Sequence, residues 1–231
     1  VIRIENVTGN SNQTLLGAAN SQSWTINGAD DGTVIDQETL ASVAFTNFGN
    51  LTGAASNDTF TFASGGSVSG LINGGAGTDT VDYDTNNISG VTVTLNGTNT
   101  GISNVENLAG QNTTLVGGAG NVIWNLNASS GGTVNDGTTT VTFTNTTTIK
   151  NSNGQNVFTA NGSYSGAINL TSDNNTWNHT EGATLTSGAV TGDGALTIPD
   201  TNAGNLTIAN GDLNLPNLGG FAGHLVIGGS L

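Results

Sequence analysis

The sequence predicts an all-β protein, and within that class a right-handed parallel β-helix (β-solenoid), from three observations. Short apolar strands alternate with Gly/Asn-rich corners roughly every 8 to 12 residues. The corners vary in length, and the rhythm runs on without a break that would close a compact domain. A block of about one hundred residues is written twice, the mark of a quasi-one-dimensional stack. Short, even strands would also suit a tandem β-sandwich, which is the alternative.

Composition points the same way. The chain has 231 residues with 36 Gly, 2 Pro and no Cys, and only 8% of its residues are charged. Disordered chains usually carry far more charge or proline. Polarity comes instead from Gly, Asn, Thr and Ser. Thr suits strands, whereas Gly and Asn suit turns. No window sets apolar residues at i, i+3, i+4 and i+7 among good helix formers, so long helices are not expected.

The elements follow in order. The chain opens on VIRIENV, which reads as the inside of a strand, so a longer parent chain is expected. TLLGAAN from Thr14 leads to WTINGADDGTV at Trp24, VAFTNF at Val43, NDTFTF at Asn57 and SVSGLIN at Ser67. A corner, NGGAG, precedes the strand DTVDY. VTVTL then sets Val91, Val93 and Leu95 on one face and threonines on the other. This first copy spans residues 1–100, and a second over 101–172 repeats it. The second copy reads TLVGGAG from Thr114, WNLNASSGGTV from Trp124, VTFTNT from Val141, QNVFTA from Gln155 and SYSGAIN from Ser163. The offset drifts from about 100 to about 96, which implies small loop deletions.

Residues 173–231 continue as C-terminal coils, through ATLTSGAV, GALTIPD, NLTIA, DLNL and HLVIGG. At roughly 20 to 25 residues per coil, about ten coils make one continuous solenoid about 50 Å long. The final HLVIGGSL is apolar and uncapped. Its open strand edge predicts a continuing chain or end-to-end self-association.

Charge limits the partners. There are 16 acids against 2 bases, Arg3 and Lys150, for a net charge of −14. Nucleic-acid binding needs a basic footprint, and none exists. Anionic membranes repel such a chain, and no run of about 18 apolar residues predicts membrane insertion. Neutral glycans and divalent cations are the partners that this charge admits. With no Cys, disulfides and thiolate metal sites are excluded.

One corner raises a metal question. Gly74 to Asp82 reads GGAGTDTVD and fits G-G-x-G-x-D-x-U-x, where U is bulky and apolar, a pattern that can hold Ca²⁺ in β-helices. Weaker cousins start at Gly17, Gly53, Gly117 and Asn151. Position eight is always large and apolar: Trp24, Phe60, Val81, Trp124 and Phe158. Position six, the would-be ligand, reads Gln22, Asp58, Asp79, Val122 and Asn156. Calcium wants about 6 to 8 oxygen ligands, and no two good copies are consecutive. Asp82 and Asp84 share a strand face, with Asp79 on the other. Two readings of Asp79 stand side by side, a calcium ligand or a corner acid that accepts backbone hydrogen bonds. No cofactor is required; Ca²⁺ is the one that the corner admits, with Asp79, Asp82 and Asp58 as candidate ligands.

The stretch NLTGAASNDTFTFASGGSVSGLINGGAGTDTVDYD resembles the repeats of large secreted bacterial surface proteins. These include RTX-related and filamentous-haemagglutinin-like adhesins and S-layer or biofilm matrix proteins. The resemblance is strongest from Val1 to Asn125 and continues through NLPNLGGFAGHLVIGGS. It implies a long β-solenoid fibre, exported and held extracellularly at the cell surface. The family's calcium ligands carry over only onto Asp79 and, less well, Asp58. Gln22, Val122 and Asn156 depart from the pattern.

The leading expectation is therefore a non-catalytic structural module, a stalk or a self-assembling filament unit. A calcium-dependent glycan- or cell-surface-binding module and a carbohydrate-active enzyme are the alternatives. β-Helix lyases use Arg or Lys, but Arg3 is terminal and Lys150 lies in a Thr/Asn run. A glycosidase needs two spaced carboxyl groups. Asp82 with Asp84, or Asp30 with Asp31, are the pairs on offer, and both sit in turns that read as solvated. His179 and His224 stand alone. Trp24 and Trp124 read as core anchors and Trp177 as the better candidate for an exposed aromatic. About 14 Asn-x-Ser/Thr sequons, against about 8 expected by chance, mostly reflect composition.

Overall fold

The computed structural model describes residues 4–96, 100–128, 130–151, 156–160, 164 and 166–170, and beyond Leu170 only the backbones of short strands. Arg3 and the last residues of HLVIGGSL lie outside the described residues, as do the side chains of Trp177, His179 and His224. Every regular element among the described residues is a strand, so the chain is all-β. The sheets combine parallel and antiparallel pairs. The chain divides into two compact units: Val1–Gly90 with Thr94–Gln111, and Val91–Val93 with Asn112–Leu231.

The strands of the first part are β1 (Asn6–Thr8), β2 (Thr14–Leu16), β3 (Gln22–Gly28), β4 (Asp31–Asp36), β5 (Ser42–Thr46) and β6 (Asn50–Ala55). They continue as β7 (Thr59–Phe62), β8 (Leu71–Ala76), β9 (Thr80–Asp82), β10 (Thr92–Thr94), β11 (Gly101–Ser103) and β12 (Asn107–Val116). The second unit holds β13 (Val122–Ala128), β14 (Gly131–Asn135), β15 (Thr140–Lys150), β16 (Asn156–Ala160), β17 (Ala167–Asn169) and β18 (Asn175–His179). Six further short strands follow between Thr184 and Ile227.

In the first unit two parallel ladders run side by side along the sequence. One is β2–β6–β8–β11, the other β3–β7–β9–β12. In the first ladder Leu15, Leu51, Ile72 and Ile102 share a register row. In the second, Trp24, Phe60, Val81 and Leu108 do so. Leu51, Ile72 and Ile102, and all four of the second row, are buried. Trp24 stacks on Phe60 with ring centroids 5.4 Å apart, and Phe62 stacks on Tyr83 at 4.4 Å. Each such side chain contributes about 1.5–3 kcal/mol by leaving water. Alternation along the strands explains why only every second residue joins these rows.

The antiparallel element departs from an all-parallel expectation, and local chemistry accounts for it. β3 turns back into β4, and β4 into β5. Asp30 adopts φ 61° between the first two strands, a conformation that Asp tolerates better than most residues. At the second turn Asp36 Oδ1 accepts the backbone N–H groups of Glu38 and Thr39 at 2.9 and 2.8 Å. The second unit repeats the device with β13, β14 and β15. Trp24 opposes Val34 and Trp124 opposes Val134, and each first strand carries a bulge, between Ile26 and Gly28 and between Leu126 and Ala128. Trp124 stacks on Phe158 at 6.0 Å and meets Phe143 edge-on at 6.2 Å, much as Trp24 meets Phe60 and Phe45.

Asparagine supplies many of the left-handed corners. Asn47, Asn87, Asn96, Asn104, Asn112 and Asn145 all have φ near +50° to +60°. A short polar side chain lowers the cost of that conformation.

Candidate functional site

The corner between the two ladders of the first unit is where the singled-out acids fall. Strand register places Gly17, Gly53, Gly74 and Asn104 in one row, by extension of the pairs Leu16↔Thr52, Thr52↔Asn73 and Ser103↔Asn73. It places Gln22, Asp58, Asp79 and Glu106 in a second row, one residue before Ser23↔Thr59, Thr59↔Thr80 and Asn107↔Thr80. The row therefore sets three acids, Asp58, Asp79 and Glu106, one above another just before successive strands of the parallel ladder.

Each member of the second row is tied to the next by its main chain. The Gln22 N–H donates to Asp58 Oδ1 at 2.7 Å. The Asp58 N–H donates to Asp79 Oδ1 at 2.7 Å, and the Asp79 N–H to Glu106 Oε2 at 2.7 Å. All three are short for N–H···O bonds. They satisfy amide groups that the corner removes from the strand ladders. Asp58 is 1% exposed and Asp79 0%.

The second oxygen of each side chain explains the corner glycines. Gln22 Oε1, Asp58 Oδ2 and Asp79 Oδ2 are buried with no hydrogen-bond partner. A Cβ at Gly17 would overlap Gln22 Oε1, a Cβ at Gly53 would overlap Asp58 Oδ2, and a Cβ at Gly74 would overlap Asp79 Oδ2. Glycine at position one is thus required by the side chain at position six. The same three points lie against carbonyl oxygens of the following coil, those of Gly53, Gly74 and Asn104 respectively. Each unpartnered oxygen thus flanks a glycine Cβ position together with a second acceptor.

Burial shapes the acidity. It pushes the Asp58 carboxyl up from 3.8 to about 6, against the Gln22 N–H, with the Asp79 charge adding to the rise. Burial likewise pushes Asp79 up, opposed by the Asp58 N–H and assisted by the Glu106 charge. Asp36 behaves in the opposite way: the Thr39 N–H holds its carboxyl below the ordinary value. The corner acids are thus set apart from the turn acid by what surrounds them.

The candidate calcium ligands do not converge. Along β9, Asp79, Val81 and Tyr83 are buried while Thr80, Asp82 and Asp84 are partly exposed. Asp82 therefore faces away from Asp79 and Asp58. Its Oδ1 accepts the N–H groups of Asp84 and Thr85 at 2.9 and 3.0 Å, and its Oδ2 accepts the Thr85 hydroxyl. The three acids do not surround one point, and among the described residues no group of three or more His, Cys, Asp or Glu gathers to hold a metal ion.

The other singled-out residues have local partners. Asp30 accepts the Ser69 N–H at 2.7 Å and its hydroxyl at 2.8 Å, and Asp31 accepts the Asn47 N–H at 2.9 Å. Asp84 accepts Gln111 Nε2 at 3.1 Å. Lys150 is exposed at the end of β15. Trp24 and Trp124 are buried, and the indole N–H of each lacks a partner.

Glu106 is the member that sequence reasoning passes over. Its corner is shortened: Glu106 lies two positions after Asn104, whereas Asp79 lies five positions after Gly74. The nonapeptide spacing fails there, although Leu108 keeps the apolar anchor two residues on. A pattern that tolerates corner deletions would include it.

Chemically, the arrangement is a closed column of acids that face main chain and one another. No family model, curated protein or solved structure matches this chain.

Proposed function

We propose that the chain is a non-catalytic structural module, a segment of an extracellular bacterial surface fibre that serves as stalk, spacer or self-assembling unit. The finer fold that goes with this reading is a right-handed parallel β-helix with an antiparallel hairpin pair inserted once per sequence repeat. One observation carries it. Four successive coils of the first unit keep two residue rows in register, Gly17–Gly53–Gly74–Asn104 and Gln22–Asp58–Asp79–Glu106. Repeated rows of this kind build length, because each coil is satisfied by its neighbours alone. The acids support the reading too, since they are occupied in corners and turns. The acidic, base-poor composition suits a soluble extracellular surface.

Electron microscopy of the purified chain is the test. Short rods or ordered fibres are expected. Globular particles at every concentration would overturn the proposal, as would new chain ends appearing in neutral or acidic polysaccharides on incubation.

A further inference from the structure

We infer that in mildly acidic solution Asp58 and Asp79 stand in the folded first unit as neutral carboxylic acids, each carrying a proton on Oδ2 that it donates to the backbone carbonyl of the next coil, and that this proton ladder fastens the corner. Such a ladder would fasten the corner whether or not the chain serves as a fibre.

Three independent features of the corner require it. First, each buried Oδ2 flanks a glycine Cβ position together with a carbonyl oxygen: Asp58 Oδ2 and Gly74 O lie 2.2 and 2.4 Å from that of Gly53, and Asp79 Oδ2 and Asn104 O lie 2.4 and 2.0 Å from that of Gly74. Two acceptors so placed repel unless one becomes a donor, and a protonated carboxyl has one O–H to give. Second, Oδ1 of both acids is already engaged by a backbone N–H, at 2.7 Å in each case. The proton therefore has one place to go, Oδ2, which is otherwise buried without a partner. Third, the chain itself puts neutral groups at this position in other coils. Gln22 heads the row with its Oε1 at this place; an amide is neutral at every pH, and exchanging its oxygen and nitrogen would supply the same donation to Gly53 O. In the second unit the equivalent positions are Val122 and Asn156, both buried and paired in register.

The surroundings offer no compensating cation among the described residues. The groups facing Asp58 are Gln22, Gly53, Gly74 and Asp79. Those facing Asp79 are Asp58, Gly74, Asn104 and Glu106. The charged groups that act on the pair are acids, and both charge effects oppose ionisation. Removing the two protons leaves two buried charges one coil apart, each against a carbonyl oxygen. The corner then loosens, and the coils from Gly17 to Asn104 lose protection as the pH rises.

The experiment follows the carboxyl carbons of Asp58 and Asp79 by NMR in the intact chain, between about pH 3 and pH 8. Both carbons are expected to keep the protonated signature well above the ordinary carboxylate range, about pH 4. The Asp58→Asn/Asp79→Asn chain replaces the O–H donor with an N–H donor. It is expected to melt at a temperature that barely changes with pH, and higher than that of the unaltered chain at about pH 8. Titration of both carbons alongside the exposed acids would overturn the inference, and so would a doubly substituted chain that keeps the unaltered pH dependence. Should the substituted chain fail to fold, the carbon titration of the unaltered protein decides alone.

Discussion

The two units share a hairpin device and differ at one corner. In both, a buried tryptophan sits on the first strand of an antiparallel three-strand run and stacks on a phenylalanine of the strand paired parallel to it. In the first unit the residue two before that tryptophan opens a row that continues through Asp58, Asp79 and Glu106. In the second it is Val122, followed by Asn156. The hydrophobic stack is therefore what the architecture needs twice, while the corner row is free to be ionisable or neutral. That freedom is informative: a position that accepts Val, Asn and Gln has no general need for a cation ligand.

The largest expected effects test what the units share. Trp24→Ala and Trp124→Ala should each cost about 3–5 kcal/mol, because both side chains are buried against aromatic neighbours. Chemical denaturation with tryptophan fluorescence would read the two losses separately. Equal losses uphold the duplication; a small effect at one site would break it.

Next comes the corner. Gly74→Ala forces a Cβ onto Asp79 Oδ2 and Asn104 O, and should cost about 3 kcal/mol. In the second unit a Cβ at Gly120 would meet nothing closer than Asp136 O at 3.8 Å. Gly120→Ala should therefore change the melting temperature little. If the two substitutions were equivalent, the corner row would not be the constraint described.

The pH dependence is of intermediate size. Asp58 binds its proton more tightly folded, near 6, than unfolded, near 3.8. The folded state thus holds the extra proton between those values, and the Asp58 contribution to stability is fully present below about pH 4. It falls as the pH rises through about 6, by roughly 1 to 3 kcal/mol in all. Thermal melts across that window should show the fall, and Asp58→Asn should flatten it.

A smaller gain is expected at Ala54, which holds φ 93° opposite Gly75 at φ 104°. Ala54→Gly relieves a conformation that a Cβ disfavours, and should stabilise the chain by about 1 kcal/mol in a denaturant titration. A loss instead would mean that the Ala54 methyl contributes packing that outweighs the strain.

Much of this was legible in the sequence, and the reasons are local. The rows Trp24–Phe60–Val81 and Trp124–Phe158 follow from one apolar residue at a fixed distance from a glycine or asparagine corner. The strand class follows from alternation in VTVTL and TFTF. The hairpins were hidden, because ADDGTVID reads as a corner and a strand whichever way the chain then runs; direction is set by Asp30 at positive φ and by the Asp36 turn. The corner acids were visible as residues but not as a ladder. That requires the register between coils separated by 36, 21 and 27 residues, a spacing too uneven for a fixed-period search. Glu106 was lost for the same reason. Asp82 and Asp84 share one strand face and Asp79 lies on the other, as alternation along a regular strand predicts.

The most direct test of the contrast is residue-resolved amide hydrogen exchange, corrected for intrinsic rates, at about pH 5 and about pH 8. The amides of Gln22, Asp58 and Asp79 should lose protection at the higher pH, while those of Trp124 and Phe158 keep theirs. Equal, pH-independent protection at both sets would contradict the account.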